Sequence, residues 1–252
     1  MVTLYLAWRQ PDRRWWPVGR LTHDGKEYVF AYTKGAQVAA REGGFRPLLS
    51  FPDLDEVYVS NELFPLFANR MLSQGRPEYS DFVEWLDLKG GEVDALALLA
   101  RSGGQKETDM FEVFPAPVAD EAQRYRAVFF VHGLRHYQPE SLDRALRLRP
   151  QDPLRAEPDP ANPSDPRALR ILSEDGVLLG FVPRYLCADV HALRESCPQE
   201  LRLSVRRVNP SPTPLQFLVL CALEACWPAG FRPCSDLEFQ PIHTLVRAEG
   251  RT

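Results

Sequence analysis

Three neighbouring stretches decide the fold of the second half of the chain: FFVHGLRHY (129–137), EPDPANPSDPRALRIL (157–172) and GVLLGFVPRYLCADV (176–190). The apolar run at 128–131 is typical of a buried strand. Residues 168–172 and 177–182 flank the turn SEDG, and this pattern predicts a β-hairpin because Asp-Gly favours a tight turn. Pro183 suits the first turn of a helix that we expect to reach Glu195.

Two further strands are predicted at 201–208 and 215–226, on either side of the rigid segment NPSPTP. Several strands around one short helix predict a small, barrel-like β domain with a helical insert. Upstream, FPAPVADEAQ (114–123) has the prolines, small residues and acids of a linker. We therefore expect a module at 1–115, a linker at 116–123 and a β domain at 124–252.

The first module is predicted to be a small sheet followed by helices, which makes the fold class α+β. Strands are expected at 2–8 and 26–32, with a loop containing PDRRWWP and the turn HDG between them. Apolar residues at helical spacing then predict a helix from Ser60 or Asn61 through Met71, a second from Ser80 through Leu86, and a third from Glu92 to Ala100.

Composition excludes several classes of protein. With 252 residues, 44% hydrophobic and 25% charged, the chain has the apolar content of a globular protein rather than a disordered one. It contains no apolar run long enough to span a membrane, and its first residues, MVTLYLAWRQ, lack the pattern of a secretion signal. We expect a bacterial-type cytoplasmic protein without a membrane partner.

The charge pattern argues against a strongly basic nucleic-acid binder. The net charge is −4, although residues 124–207 hold 14 Arg against 11 acidic residues. That local excess is weak, so any contact with nucleic acid must come from a shaped site. Arg accounts for 26 of the 30 basic residues, and its planar guanidinium suits phosphate.

No sequence pattern of a phosphate-binding loop, a dinucleotide fold, a zinc protease or a serine hydrolase is present. We therefore predict a non-enzymatic protein without a cofactor. The five cysteines leave one metal alternative open, a site formed by Cys221, Cys226, Cys234 and His243. A spacing of five in a strand points Cys221 and Cys226 to opposite faces, which favours buried free thiols instead.

The three stretches quoted at the outset resemble the HIRAN domain, whose members show a Gly-Leu-Arg-aromatic segment, an Asn-Pro-Tyr-Asp turn and a Gly-Tyr-Val-Pro-Arg helix start. The resemblance covers about 80–100 residues. It implies a barrel related to OB-folds that holds the 3′ end of single-stranded DNA. By motif, Arg135 would be a basic clamp, His136 a stacking position assisted by Tyr137, and Asp165 the carboxylate that reads the terminal hydroxyl.

The motif also assigns Arg184 to phosphate and adds Arg167 and Tyr185 to the candidate interface. Two positions depart from the family, since Ser164 and His136 stand where aromatic rings are usual, and each base stacked on a ring contributes about 1–3 kcal/mol. The residues also have structural readings. Asp165 could close its own turn, Arg135 and Arg184 could be surface residues, and the tyrosines could pack at the barrel rim.

The first module resembles the small N-terminal subdomain of HipA-type kinases, through WPVGRLTHDGKEYVFAY (16–32), NELFPLFANRML (61–72) and DALALLARSGGQ (94–105). Nothing resembling the kinase body follows. The resemblance implies a module that docks a protein partner. Together the two resemblances predict an adaptor for single-stranded DNA or DNA 3′ ends that serves in repair or defence. The alternative is a protein-interaction regulator, of the toxin–antitoxin or defence-system kind, that has lost DNA binding.

Overall fold

The computed structural model describes residues 1–10, 14–106, 108–134 and 139–245. Two compact units share the chain, and neither is continuous in sequence. The first unit contains Met1–Gln74, Asp94–Ala116 and the segment from Cys234 onward, and the second contains Gly75–Val93 and Pro117–Pro233. The change of unit at 116–117 lies within the expected linker, but residues 75–93 and those from 234 onward cross the division that we expected from sequence.

A five-stranded antiparallel sheet organises the first unit. Its strands are β1 (Val2–Arg9), β2 (Trp15–His23), β3 (Tyr28–Tyr32), β4 (Val57–Ser60) and β5 (Phe111–Pro115), in the order β4-β3-β2-β1-β5. The strands expected at 2–8 and 26–32 are confirmed. The expected loop is wrong from Trp15 onward, since β2 begins there, and a bulge opposite Leu6 and Ala7 accommodates Pro17 within the strand.

Six α-helices lie in the described residues: α1 (Lys34–Gly43), α2 (Pro65–Ala68), α3 (Tyr79–Trp85), α4 (Ala95–Ser102), α5 (Pro139–Leu146) and α6 (Arg184–Ser196). The second and third predicted helices are confirmed as α3 and α4. The long helix expected from Ser60 or Asn61 to Met71 is wrong, because only α2 is helical there. Pro65 disfavours helical backbone at Phe64, which is instead extended with ψ near 141°.

The second unit is built on a six-stranded antiparallel sheet. Its strands are β6 (Arg124–Phe130), β7 (Pro153–Pro158), β8 (Leu169–Ser173), β9 (Leu178–Phe181), β10 (Arg202–Val208) and β11 (Val219–Cys226), in the order β6-β11-β10-β7-β8-β9. The predicted hairpin is confirmed as β8 and β9, and the predicted helical insert is α6. The sheet curls into a half-barrel whose interior is filled by apolar side chains from the strands and α6.

One bridge joins the two ends of this curled sheet. His132, just after β6, exchanges two backbone hydrogen bonds with Phe181 of β9, at 3.0 and 2.9 Å. The close approach depends on Gly180, because a Cβ atom there would lie 2.4 Å from the His132 carbonyl oxygen. The strand edges therefore meet at the point from which α6 departs.

Candidate nucleic-acid interface

The candidate site begins with the turn between β7 and β8. In this turn, side-chain oxygens accept hydrogen bonds from backbone N–H groups. The Asn162 Oδ1 atom accepts hydrogen bonds from the backbone N–H of Ser164 at 3.0 Å and of Asp165 at 3.3 Å. Asp165 Oδ1 in turn accepts the N–H of Arg167 at 2.9 Å. Asn and Asp favour such local bonds, so the sequence NPSDP predetermines the shape of this turn.

The turn meets the first residue of α6 through an ion pair. Asp165 Oδ2 lies 3.1 Å from Nε of Arg184, and the side chains are 12% and 32% exposed, respectively. Pro183 precedes the helix with extended backbone, ψ near 138°, and so directs Arg184 into the first turn. The structure therefore pairs the side chains of Asp165 and Arg184 and places Arg167 on the same turn, two residues after Asp165.

Asp165 has the structural role that its turn sequence predicts. One of its oxygens closes the turn and the other faces the guanidinium. A carboxylate has about four lone-pair positions, so these two contacts leave capacity for another donor. An anionic acceptor beside a guanidinium suits a ligand that carries a hydroxyl next to a phosphate.

Further contacts hold the turn against α6. His191 Nε2 lies 3.0 Å from the carbonyl oxygen of Arg167. Burial, followed by the nearby Asp165 carboxylate, raises the pKa of the Cys187 thiol to about 12, which keeps this thiol protonated at neutral pH. Tyr185 is half-buried and packs against the core.

Arg135, His136 and Tyr137 lie outside the described residues. Leu134, the residue just before them, is buried in the same hydrophobic core as Val182 and Leu186. The predicted roles of the Gly-Leu-Arg segment in clamping and stacking remain predictions.

A buried polar pair beneath α6 was missed by sequence reasoning. The Asp189 carboxylate is 6% exposed and accepts a hydrogen bond from the Tyr125 hydroxyl at 2.9 Å. An acid at an otherwise apolar position of YLCADV was the available signal. The pair anchors the middle of α6 to β6 and so steadies the helix that begins with Arg184.

Three further features of the described residues bear on function, namely metal ligands, a groove and the length of the helices. Within the described ranges, no three His, Cys, Asp or Glu side chains are grouped to hold a metal ion. A groove of about 390 Å³ lies between β7, β10 and the segment after α6, and its described lining does not include Asp165, Arg167, Arg184 or Tyr185. In the part of the chain that the structure describes, none of the helices has the length and hydrophobicity of a membrane span.

Comparison with known proteins gives a family for this part of the chain. Residues 125–223 match the family model of the HIRAN domain. Among solved structures, the crystal structure of the HIRAN domain of human HLTF is similar, with 16% identity, a TM-score of 0.31, and coverage of 40% of this chain and 74% of that chain. No protein of curated function matches the chain. The matched region runs from β6 to β11 and contains both the turn and α6, so residues 125–223 form a HIRAN domain.

Proposed function

We propose that the second unit binds single-stranded DNA, and 3′ ends in particular, at the turn around Asp165 and the start of α6. HIRAN domains as a family bind single-stranded DNA or DNA 3′ ends. The observation that carries the proposal is the meeting of Asp165, Arg167 and Arg184 at one edge of the curled sheet.

Each residue has a role that follows from its chemistry. Asp165 accepts a hydrogen bond from the terminal hydroxyl, and Arg184 neutralises the adjoining phosphate. Arg167 has an exposed side chain on the same turn and adds a second cation. Arg135 clamps the strand, while His136, Tyr137 and Tyr185 supply ring faces. With Ser164 in place of an aromatic ring, one stacked base is lost, so we expect weak binding in the micromolar range.

The first unit docks a protein partner in this proposal, and the whole chain acts by binding rather than by catalysis. A specific observation favours the rival function, that of a protein-interaction regulator without DNA binding. The Asp165 carboxylate already has two partners within the protein, Arg184 and the backbone of Arg167, so the turn is satisfied without a ligand.

The deciding experiment measures fluorescence anisotropy with short labelled single strands that end in either a 3′ hydroxyl or a 3′ phosphate. We expect the strand with the free hydroxyl to bind more tightly, because a carboxylate accepts from a hydroxyl but repels a phosphate. Equal affinities would contradict the 3′-end function, and no binding to either strand at about 100 μM protein, the weak end of typical nonspecific dissociation constants, would favour the rival.

The variant Asp165→Asn sharpens this test. Its amide oxygen can still close the turn, but the charge opposite Arg184 and the terminal hydroxyl is lost. We expect affinity for the 3′-hydroxyl strand to fall about tenfold, the effect of one hydrogen bond to a charged group, with a smaller change for the 3′-phosphate strand. Asp175→Asn is the matched control, since Asp175 forms a similar ion pair with Arg144 in the same unit. Equal losses on both strands would remove Asp165 from hydroxyl recognition.

A further inference from the structure

Two thiols lie side by side where α6 and β11 end. Cys197 follows the last turn of α6 and donates its N–H to the carbonyl oxygen of Leu193 at 2.9 Å. Cys226 is the last residue of β11. The Cys197 Sγ atom lies 3.9 Å from the carbonyl oxygen of Cys226, and both side chains pack against the hydrophobic core of the second unit.

The local environment keeps the Cys226 thiol protonated but leaves it accessible to solvent. A hydrogen bond with the Cys197 thiol, followed by burial, raises the pKa of Cys226 to about 11, and Glu200 raises it further while Arg124 lowers it. Cys226 is partly exposed, whereas Cys197 is 9% exposed. A disulfide reagent in solution therefore meets Cys226 first, with Cys197 beside it.

The remaining cysteines do not share this arrangement. Cys187 and Cys221 are buried, and burial raises the pKa of both thiols. Cys234 belongs to the first unit. The pair at 197 and 226 is thus the place in the second unit where two thiols adjoin and one of them meets solvent.

We propose that Cys197 and Cys226 form a reversible oxidation site that closes to an intramolecular disulfide by exchange with a low-molecular-weight disulfide such as glutathione disulfide. The Cys226 thiolate attacks one sulfur of the reagent, its S–S bond breaks, and one glutathione leaves as a thiolate that takes up a proton. The Cys197 thiolate then attacks the Cys226 sulfur and releases the second glutathione. The two protein thiols are oxidised, and one glutathione disulfide is reduced to two thiols.

The bond would connect the end of α6 to the end of β11 across 29 positions of sequence. Arg184 stands at the opposite end of the same helix. Oxidation would therefore tether the helix that carries the candidate DNA contact. The proposal does not rest on DNA binding, because it is read out by thiol chemistry alone.

The test treats the full chain with glutathione disulfide, then denatures it and counts free thiols. We expect the count to fall from five to three and to return to five with a reductant. Peptide mapping should find residues 197 and 226 in one linked product. The initial rate should rise about tenfold per pH unit between about pH 7 and 9, because the attacking species is the thiolate of a group with a raised pKa.

Matched variants distinguish this pair from general oxidation. Cys234→Ser should still lose two thiols, whereas Cys197→Ser should stop at a mixed disulfide between Cys226 and glutathione. A disulfide that joins Cys234 to another cysteine would overturn the proposal. So would an unchanged count of five thiols under conditions that oxidise the same protein after unfolding in denaturant.

Discussion

At the scale of single residues, the lack of a side chain at Gly180 allows the two edges of the curled sheet to come together. Its φ of 151° is rarely adopted by other residues, and a Cβ atom there would meet the His132 carbonyl oxygen at 2.4 Å and the Val131 side chain at 2.6 Å. Backbone and core atoms on that side cannot yield easily. The bridge between His132 and Phe181 therefore requires glycine at this position.

We expect Gly180→Ala to lower the free energy of unfolding by about 2–4 kcal/mol, because the new methyl group must push the two edges of the sheet apart. Urea denaturation checks this. Gly230→Ala is the control in the same unit: its φ is also positive, at 78°, but no atom lies within 4 Å of the added Cβ. In this control, only the unfavourable backbone conformation should lower the free energy of unfolding, by about 1–2 kcal/mol. Equal losses in the two variants would show that the close approach is unimportant.

At the scale of elements, α3 belongs to the second unit although it lies in the first half of the chain. Arg206 of β10 pairs with Asp87 at 2.6 Å, and the ring of Phe217 packs against Phe82 of α3 and Phe130 of β6. Asn209 is fully buried and donates to the carbonyl oxygens of Trp85 and Phe217. These contacts bridge as many as 124 positions of sequence, so no local pattern could have revealed them.

We expect Asn209→Ala to destabilise the second unit by about 2–4 kcal/mol, because buried carbonyl oxygens lose their donor. Hydrogen exchange should accelerate in residues 79–88 together with β10. Arg126→Ala is the matched surface control, since its ion pairs with Asp120 and Glu224 are formed by a side chain that is 59% exposed. That variant should lower the stability of the second unit by less than about 1 kcal/mol. Exchange confined to β10 would indicate that α3 does not depend on Asn209.

At the scale of the whole molecule, the net charge of −4 means that the protein does not attract DNA through its overall charge. Many arginines of the second unit are paired with acids, as Arg144 is with Asp175 and Arg207 with Glu84. Paired cations attract phosphate less strongly. Binding should therefore depend on two or three phosphate contacts at the site rather than on a broad positive surface.

From that number of contacts we expect affinity for a single strand to fall about 5–20-fold between about 50 and 200 mM salt. Arg184→Gln should reduce the slope of log affinity against log salt by about 0.7, the value for one phosphate on a single strand. Arg126→Gln should leave the slope unchanged. A slope that is steep in every variant would point to nonspecific attraction, and salt-independent binding would contradict phosphate contact altogether.

The sequence by itself determined the local parts of this protein. The hairpin of β8 and β9, the start of α6 after Pro183 and the turn closed by Asn162 and Asp165 each follow from turn and capping preferences that act over a few residues. The same three motifs, in order, indicated the HIRAN domain that the family match confirms. Local preference failed at β2 and α2, where a bulge and a proline changed the expected element.

Only the tertiary structure decided which parts of the chain belong together. The pairing of Asp165 with Arg184, the inclusion of residues 75–93 in the second unit and the adjacency of Cys197 and Cys226 all depend on how the sheet curls. Packing between distant segments is set by the shape of a whole core, whereas sequence patterns report the preference of one segment at a time. The turn was therefore visible in the sequence, but its guanidinium partner became visible only when the half-barrel brought α6 beside it.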